Sequence, residues 1–369
     1  LRENGIEFFE LSGVDPNPRL ETVLLGKKLC LDKGLDGVLA IGGGSSFAKE
    51  CNSSTITIGG NCEVFAQTIG GTAIGGGSSS SLKGGDSNIT ISGTAKVTAI
   101  SVAGSVEYYS NISRADANYH KVNYPAGASI GGGTGGTSGN GGNCTLTIEG
   151  SPTIYTGSIG GGQTLNTTGE YKIGSATVNI SGGTMQGQVI MAKGAATDCS
   201  FTMNGGTIDN TSAKSATVGQ DLNKKTVMTF THDGHTFTFL KENGGAVYVE
   251  NGTATLSSNG TIRNTKATNG GAIYVDGGTF QMTGGNISTS SATANGGAVC
   301  VMNGTASVSG GSISGTADAN EAKNGGAVYV GGGSFTMNSA GNIENCNATD
   351  NGGAICIENG SAKVTGGTI

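Results

Sequence analysis

The C-terminal part of the chain repeats a short pattern of alternating apolar and polar residues. Five units open with Asn-Gly-Gly-Ala and continue with alternating apolar residues. Their first residues lie 26, 26, 29 and 27 positions apart and are Asn243, Asn269, Asn295, Asn324 and Asn351. Self-similarity with a period of roughly 20 to 50 residues is typical of stacked repeat architectures. The pattern therefore predicts a tandem array over residues 243–369.

Each unit contains three short stretches in which every second residue is apolar. In the first unit they cover residues 246–249, 253–256 and 261–262. Alternation over runs this short predicts strands with one inward face. Three strands separated by tight corners fit one triangular coil per unit, with each strand parallel to its equivalent about 4.8 Å away in the next coil. Because parallel crossovers are almost always right-handed, we predict an all-β fold, a right-handed single-stranded parallel β-helix (solenoid).

Stacked coils place equivalent residues in columns. Three columns are aliphatic in every unit and are predicted to form the core: Val247, Ile273, Val299, Val328 and Ile355; Val249, Val275, Val301, Val330 and Ile357; Ile262, Ile287, Ile313, Ile343 and Ile369. The Asn residues that open the units form another column, whose amides can hydrogen-bond along the stack. The Gly pairs that follow are predicted to supply positive φ at the corner. We interpret these Asn and Gly residues as structural.

Looser versions of the same alternation precede the array. Runs such as 55–58, 88–91 and 145–148 alternate polar and apolar residues, and Ile-Gly-Gly-Gly recurs at Ile74, Ile130 and Ile159. We therefore assign residues 47–226 to irregular coils of the same helix and residues 241–369 to regular coils. Within the irregular part, residues 107–125 and 131–142 are predicted to be loops that leave the helix.

Residues 227–240 interrupt the repeats with two alternating runs around Asp233-Gly234, a strong signal for a β-hairpin with a type I′ turn. The turn brings His232 and His235 opposite each other, with Asp233 between them. These three residues are the weak candidates for a metal site. Two His give too few ligands for a closed zinc site, so a projecting hairpin without metal is the preferred interpretation.

Residues 1–46 do not share the repeat. They read as a strand at 6–11, a helix at 19–33 and a strand at 37–41 that runs into Gly42, Gly43, Gly44 and Ser45. This order predicts a short α/β (βαβ-like) fragment before the β-helix, ending in a glycine-rich loop.

The fragment resembles the iron-containing alcohol dehydrogenases, especially their butanol dehydrogenase-like branch. The resemblance lies in Leu11-Ser-Gly-Val-Asp-Pro-Asn-Pro18 and Asp36-Gly-Val-Leu-Ala-Ile-Gly-Gly-Gly-Ser-Ser46. It implies that Gly42, Gly43, Gly44 and Ser45 are a vestigial binding loop for a nicotinamide cofactor. The family continues with a helix and with an Asp and three His as metal ligands, and this chain has no counterpart for either. We therefore expect a truncated remnant with no cofactor.

The join between the two parts carries a repeated stretch. Ala40-Ile-Gly-Gly-Gly-Ser-Ser46 recurs as residues 73–79, and a shared stretch of this kind is where unrelated coding sequences recombine or are wrongly joined. We predict that residues 1–46 are foreign to the rest. The chain also begins with Leu1 and closes at Ile369 partway through a coil, so both ends are expected to be cut.

Composition narrows the classes of function. The chain has 369 residues, of which 70 are Gly and 12% are charged, and its net charge is -6. Scattered Lys and Arg argue against nucleic-acid binding, and no apolar run is long enough for a transmembrane segment. The eight Cys residues form no Cys-x-x-Cys pair, and we expect free thiols.

The array resembles the Gly-Gly-Ala-Ile repeats of polymorphic outer membrane proteins and related bacterial surface β-helices. That resemblance implies a cell-surface or secreted, adhesin-like scaffold without catalysis, a monomeric rod whose partner is a host surface glycan or protein. A polysaccharide lyase or hydrolase is the alternative, because many β-helices are carbohydrate enzymes. Such an enzyme needs convergent carboxylates, whereas the outward charges of the regular coils lie on different columns. A remnant nicotinamide-dependent dehydrogenase is the second alternative.

Overall fold

The structure is a computed structural model that describes residues 51–69, 71–79, 82–102, 104–109, 119–124, 128–136, 139–162, 173–191, 199–210, 226–232, 235–241, 244–315, 321–338 and 340–369. These residues lie in one compact unit, Ile41–Ile369, and contain strands and turns but no helix. The predicted βαβ fragment at residues 1–46 lies outside the described residues.

Ten strand segments stack in parallel to form the surface that we call face 1. The residues of neighbouring strands pair without a register slip on this face. The segments are Ser54–Ile58, Ser87–Ile91, Cys144–Ile148, Ala176–Ile180, Ser200–Met203, Thr253–Leu256, the middle parts of Ile273–Ser288 and Val299–Ser314, Ser334–Met337 and Ser361–Val364.

Two further parallel stacks complete each coil. Face 2 contains Glu63–Ile69, Lys96–Val102, the first parts of Thr153–Gly160 and Thr184–Met191, Thr207–Asp209, Thr261–Arg263, the ends of Ile273–Ser288 and Val299–Ser314, and Gly341–Glu344. Face 3 contains Ile74–Gly75, Ile130–Gly131, the second parts of Thr153–Gly160 and Thr184–Met191, Val247–Val249, the starts of Ile273–Ser288 and Val299–Ser314, Val328–Val330 and Ile355–Ile357. This architecture confirms the predicted parallel β-solenoid, and its right hand stays a prediction.

The regular coils differ from the predicted triangle because they contain a fourth strand. Lys266–Asn269, Ser291–Asn295, Glu321–Asn324 and Asn347–Asn351 form a separate parallel sheet, which we call face 4. The three-strand prediction missed it because these segments are almost wholly polar. The first three of these strands each bury one small residue, Ala267, Ala292 and Ala322.

The predicted aliphatic columns line the interior. Val247, Ile273, Val299 and Val328 are buried, as are Ile262, Ile287, Ile313 and Ile343 in the face 2 column. Each such side chain contributes roughly 1.5–3 kcal/mol by leaving water. The last residue of the Val249 column, Ile357, is 47% exposed, and the last residue of the Ile262 column, Ile369, is 57% exposed, because no further described coil lies over them.

The two glycines of each corner pair have different roles, although the sequence predicts positive φ for both. Only the first Gly of each pair has positive φ, for example Gly270 at 62°. The second Gly is required by close stacking, because a Cβ on Gly271 would lie 2.1 Å from the carbonyl oxygen of Gly297. The prediction of positive φ is therefore wrong for the second residue of the pair.

The stretch 131–142, predicted to be a loop, instead contributes to a buried layer of backbone. Amide N–H groups donate in series from Gly85 to Gly77, Gly133 to Gly85, Gly142 to Gly133, Gly162 to Gly142 and Gly174 to Gly162, over 2.8–3.0 Å. We call these six residues the glycine layer. A Cβ on Gly133 would lie 1.9 Å from the carbonyl oxygen of Gly77, so the layer packs without side chains. The prediction of a loop that leaves the helix is therefore wrong for residues 131–136 and 141–142, which are buried, because glycine-rich runs usually mark loops.

Two antiparallel hairpins accompany the solenoid. Gly104–Tyr109 pairs with Tyr119–Tyr124 in the segment predicted to be a loop at 107–125, so that prediction is wrong for the paired residues. Thr226–His232 pairs with His235–Lys241, one residue longer at each end than the predicted hairpin. Within the described part of the chain, no helix has the length and apolarity needed to span a membrane.

Candidate functional site

Face 1 presents two columns of outward side chains, and none of them is buried. They alternate with inward core residues such as Ile89, Leu146 and Phe201, which are fully buried. The columns are Thr55, Asn88, Thr145, Thr177, Ser200, Thr253, Thr279, Thr305, Ser334 and Ser361, and Thr57, Thr90, Thr147, Asn179, Thr202, Thr255, Gln281, Ser307, Thr336 and Lys363. We call this surface the hydroxyl face.

The spacing of the hydroxyl face follows from strand geometry. Neighbouring members of one column lie about 4.8 Å apart, and the two columns are separated by about 6.7 Å, the length of two strand residues. Thr305 Oγ1 donates to Thr279 Oγ1 over 3.2 Å, so adjacent hydroxyl groups can hydrogen-bond along a column. Hydroxyl groups both donate and accept, and the face therefore offers both functions at regular intervals.

The hydroxyl face carries almost no charge. Within its ten described strands, the one ionisable outward residue is Lys363, in the last strand. Asp86, just before one strand, forms an ion pair with Lys83 at 2.9 Å and accepts from the amide of Asn143 at 2.7 Å, so its charge is used within the fold.

Face 2 is different from the hydroxyl face. Its outward positions include Glu63, Lys96 and Glu344, and Arg263 pairs with Asp209 over 2.8 Å. Charged residues thus recur on face 2, whereas the hydroxyl face has one, Lys363 in its last described strand, although both surfaces are built from the same kind of strand.

Face 3 carries an outward column of a third kind, made of Tyr248, Tyr274, Cys300, Tyr329 and Cys356. The rings of Tyr248 and Tyr274 stack with centroids 5.5 Å apart. The hydroxyl of Tyr329 donates to Glu358. Tyr274, Cys300 and Tyr329 are almost completely buried, so this column is a satellite core rather than an open pocket.

The buried thiols are poor candidates for nucleophiles. Burial, assisted by the carboxylate of Asp276, raises the pKa of Cys300 from 9.0 to about 12. Burial likewise raises the pKa of Cys144 to about 12. Since the thiolate is the reactive form, both residues act as small apolar fillers at neutral pH. All cysteines in the described residues are free thiols.

The predicted site residues are not brought together. Gly42, Gly43, Gly44 and Ser45 lie outside the described residues, as do Asp233 and Asn243. His232 and His235 pair across the hairpin turn. No group of three or more His, Cys, Asp or Glu that could hold a metal occurs in the part of the chain that the structure describes.

The Asn column occupies the corner before face 3. The side-chain amide of Asn324 donates to Asn295 over 3.0 Å, and that of Asn351 donates to Asn324 over 2.8 Å. The backbone oxygen of each described Asn, from Asn269 onwards, also accepts from a corner glycine of the preceding coil; Gly270, for example, donates to Asn295 over 2.8 Å. The amides thus hydrogen-bond along the stack.

Sequence reasoning missed two features. Asn210 is buried, accepts from the amide of Gly187 at 2.9 Å and donates to the carbonyl of Gly245 at 2.8 Å, and only the folded chain brings these residues together. The hydroxyl face was visible as repeated Thr-x-Thr and Ser-x-Thr pairs. Such pairs predict strands, and their shared lack of charge is the signal that distinguishes this face.

The matches to known proteins lie in the N-terminal part of the chain. This part is 59% identical over 46 residues to NADH-dependent butanol dehydrogenase A of Clostridium acetobutylicum, and the match covers 12% of each chain. It is 56% identical over 45 residues to probable NADH-dependent butanol dehydrogenase 2 of Bacillus subtilis, again over 12% of each chain. The chain therefore spans about an eighth of the length of these relatives, and the predicted resemblance is confirmed. No family model matches the chain, and no solved structure matches it.

Proposed function

We propose that this protein is a non-catalytic β-helix scaffold of a bacterial cell surface or of secreted material, with an adhesin-like role. The observation that supports the proposal is the hydroxyl face, a continuous surface over ten stacked strands whose outward side chains are uncharged in all strands but the last. A stacked solenoid of this kind is a rigid support for extended binding surfaces.

The electrostatics support binding rather than turnover. Hydrolysis or elimination on a polysaccharide requires paired carboxylates or an acidic metal site that converges on one point. Among the charged side chains of the described coils, Arg263 is paired with Asp209 on face 2, whereas Asp276 and Glu358 are hydrogen-bonded beside the tyrosine and cysteine column of face 3. The ion pair therefore lies on a different face from Asp276 and Glu358, and these two carboxylates, at equivalent positions of their coils, are three coils apart.

The surface role is tested on the bacterium that encodes the chain. Intact cells are labelled with an antibody against residues 244–369 and are treated with an impermeant protease. We expect labelling without permeabilisation and loss of the epitope on protease treatment, with a cytoplasmic protein as the protected control. Labelling that requires permeabilisation would contradict the surface role.

The absence of catalysis is tested separately with the purified chain. It is incubated with neutral and acidic polysaccharides, and reducing ends and unsaturated products are measured. Binding without release of either product is expected. Release of products above that of a heat-unfolded control would favour the polysaccharide lyase or hydrolase instead.

A second candidate, nicotinamide binding by residues 1–46, rests on the match to the butanol dehydrogenases. A glycine-rich loop binds phosphate partly through the helix N-terminus that follows it. In this chain the sequence after Ser46 does not continue as it does in the dehydrogenase family. We therefore expect no change in NADH fluorescence when the full chain is titrated. Saturable enhancement that is lost in Gly43→Val would support the remnant.

A further inference from the structure

We propose that the hydroxyl face is a binding site for an extended neutral polysaccharide chain, which lies along the columns of Thr, Ser, Asn and Gln. The inference deepens the adhesin-like role and rests on it for its biological meaning, whereas its measurement needs only the purified chain.

The composition of the face exceeds what strand formation requires. Thr has high β-propensity, but Ser and Asn do not, and Asn is depleted in strands. Ser200, Asn88 and Asn179 nevertheless occupy outward positions in the columns. Apart from Lys363 in the last strand, the column residues share an uncharged side chain that hydrogen-bonds, and this common property points to a ligand rather than to the backbone.

The lack of charge selects the class of ligand. A nucleic acid, a polyuronate or an anionic membrane would require Lys or Arg at the contact. An apolar partner would require aromatic or aliphatic residues, and in the described strands these point inward on this face. Groups that both donate and accept are complementary to a ligand with the same property, and the hydroxyl groups of a neutral glycan have it.

The spacing supports an extended chain rather than a single sugar. The columns repeat at about 4.8 Å, which is close to the length of one hexose unit in an extended glycan. Successive sugars can therefore meet equivalent hydroxyl groups on successive coils. Each contact is weak, and affinity then grows with the number of sugars bound, as in other multivalent interactions.

The experiment measures depletion of the full chain from solution by insoluble cellulose, xylan and mannan, with polygalacturonate as the anionic comparison. We expect saturable binding to at least one neutral polymer and none to polygalacturonate. Since no charge takes part, the affinity should change less than about twofold between about 0.05 and 0.5 M NaCl.

Matched variants locate the binding site. Thr145→Lys with Thr253→Lys adds two charges to exposed positions of the hydroxyl face, and Thr184→Lys with Asn286→Lys adds the same charges to exposed positions of face 2. We expect the first pair to weaken binding at least tenfold and the second pair less than twofold. Thr145→Val with Thr253→Val, which keeps shape and β-propensity, should weaken binding several-fold without disturbing the fold.

Several results would overturn the proposal. The protein could fail to bind any of the neutral polymers, or the two Lys pairs could weaken binding equally. It could also bind polygalacturonate in a way that salt abolishes. Freezing-point hysteresis that the Thr→Val pair abolishes would assign the face to ice, and dimerisation abolished by the same pair would assign it to a second copy of the chain. Loss of surface labelling on cells with intact glycan binding would instead refute only the adhesin-like role.

Discussion

The coils before residue 191 and those after residue 244 belong to the same solenoid but stabilise their corners with different chemistry. In the first region the chain returns to face 1 through the glycine layer, where backbone packs directly on backbone. In the second region a different corner is built up: the chain passes from face 2 to face 3 through face 4 and the Asn column, where side-chain amides bond along the stack. The comparison teaches that a coil corner can be stabilised by removing side chains or by repeating one side chain in register.

The glycine layer and the Asn column are expected to tolerate amino-acid substitutions differently. The glycine layer buries little apolar area, and each Gly loses more conformational freedom on folding than another residue would. Its stability comes from satisfied hydrogen bonds between closely spaced strands, which any Cβ would disrupt. The Asn column keeps room for side chains and depends on pairwise hydrogen bonds, each contributing about 1 kcal/mol.

The largest effect is expected where both regions share the same core. Ile313→Asp places a carboxylate in a fully buried column and should destabilise the array by more than about 4 kcal/mol, because an unpaired charge is very costly to bury. Urea unfolding followed by circular dichroism measures the loss. Ile369→Asp, in the same column but 57% exposed, is the control and should cost less than about 1 kcal/mol. Equal losses would mean that the register is wrong.

The next prediction distinguishes glycines that close backbone packing requires from a glycine that has room for a side chain. Gly133→Ala would place Cβ 1.9 Å from a carbonyl oxygen, and Gly326→Ala would place it 2.1 Å from one, whereas the nearest atom to a Cβ on Gly353 is 3.7 Å away. We expect losses of about 3 kcal/mol or more for the first two and less than about 1 kcal/mol for Gly353→Ala. Hydrogen exchange should place the first loss in the irregular coils and the second in the regular coils. A similar cost at all three positions would refute the packing argument.

A smaller effect distinguishes a buried amide from a stacked one. Asn210→Ala leaves the amide of Gly187 and the carbonyl of Gly245 unpaired in the interior, at a cost of about 2–4 kcal/mol. Asn324→Ala interrupts a half-buried column at two hydrogen bonds and should cost about 1–2 kcal/mol. Thermal unfolding of the two variants ranks them, and a greater loss for Asn324→Ala would reverse the comparison.

The smallest effect is on the pH dependence of stability. Burial raises the pKa of Cys144 from 9.0 to about 12, so the unfolded chain releases this proton at lower pH than the folded chain. The stability that the protonated thiol provides is therefore complete below about pH 9 and is lost as the pH rises towards 12. Between about pH 8 and 10.5, Cys144→Ala should lose about 1–2 kcal/mol less than the unmodified chain. Parallel curves, after correction for the difference at pH 7, would contradict the expected burial.

The sequence alone determined the solenoid and its register. Equivalent residues such as Val247, Ile273 and Val299 recur at nearly constant spacing, and a strand pattern with period two leaves one inward assignment for each of them. It also carried the composition of the hydroxyl face, since alternation that fixes Ile89 and Leu146 inward fixes Asn88 and Thr145 outward.

Only the tertiary structure showed how the chain turns between the faces and which contacts stabilise each corner. Face 4 contributes a single small residue such as Ala267 per coil, which is too little for a periodic signal. The bonds of Asn210 join it to segments 23 and 35 residues away, and in the glycine layer Gly85 bonds both to Gly77 and to Gly133 of the adjacent coil. Local patterns report which way a side chain points, whereas contacts between backbones from different coils depend on how the whole chain is wound.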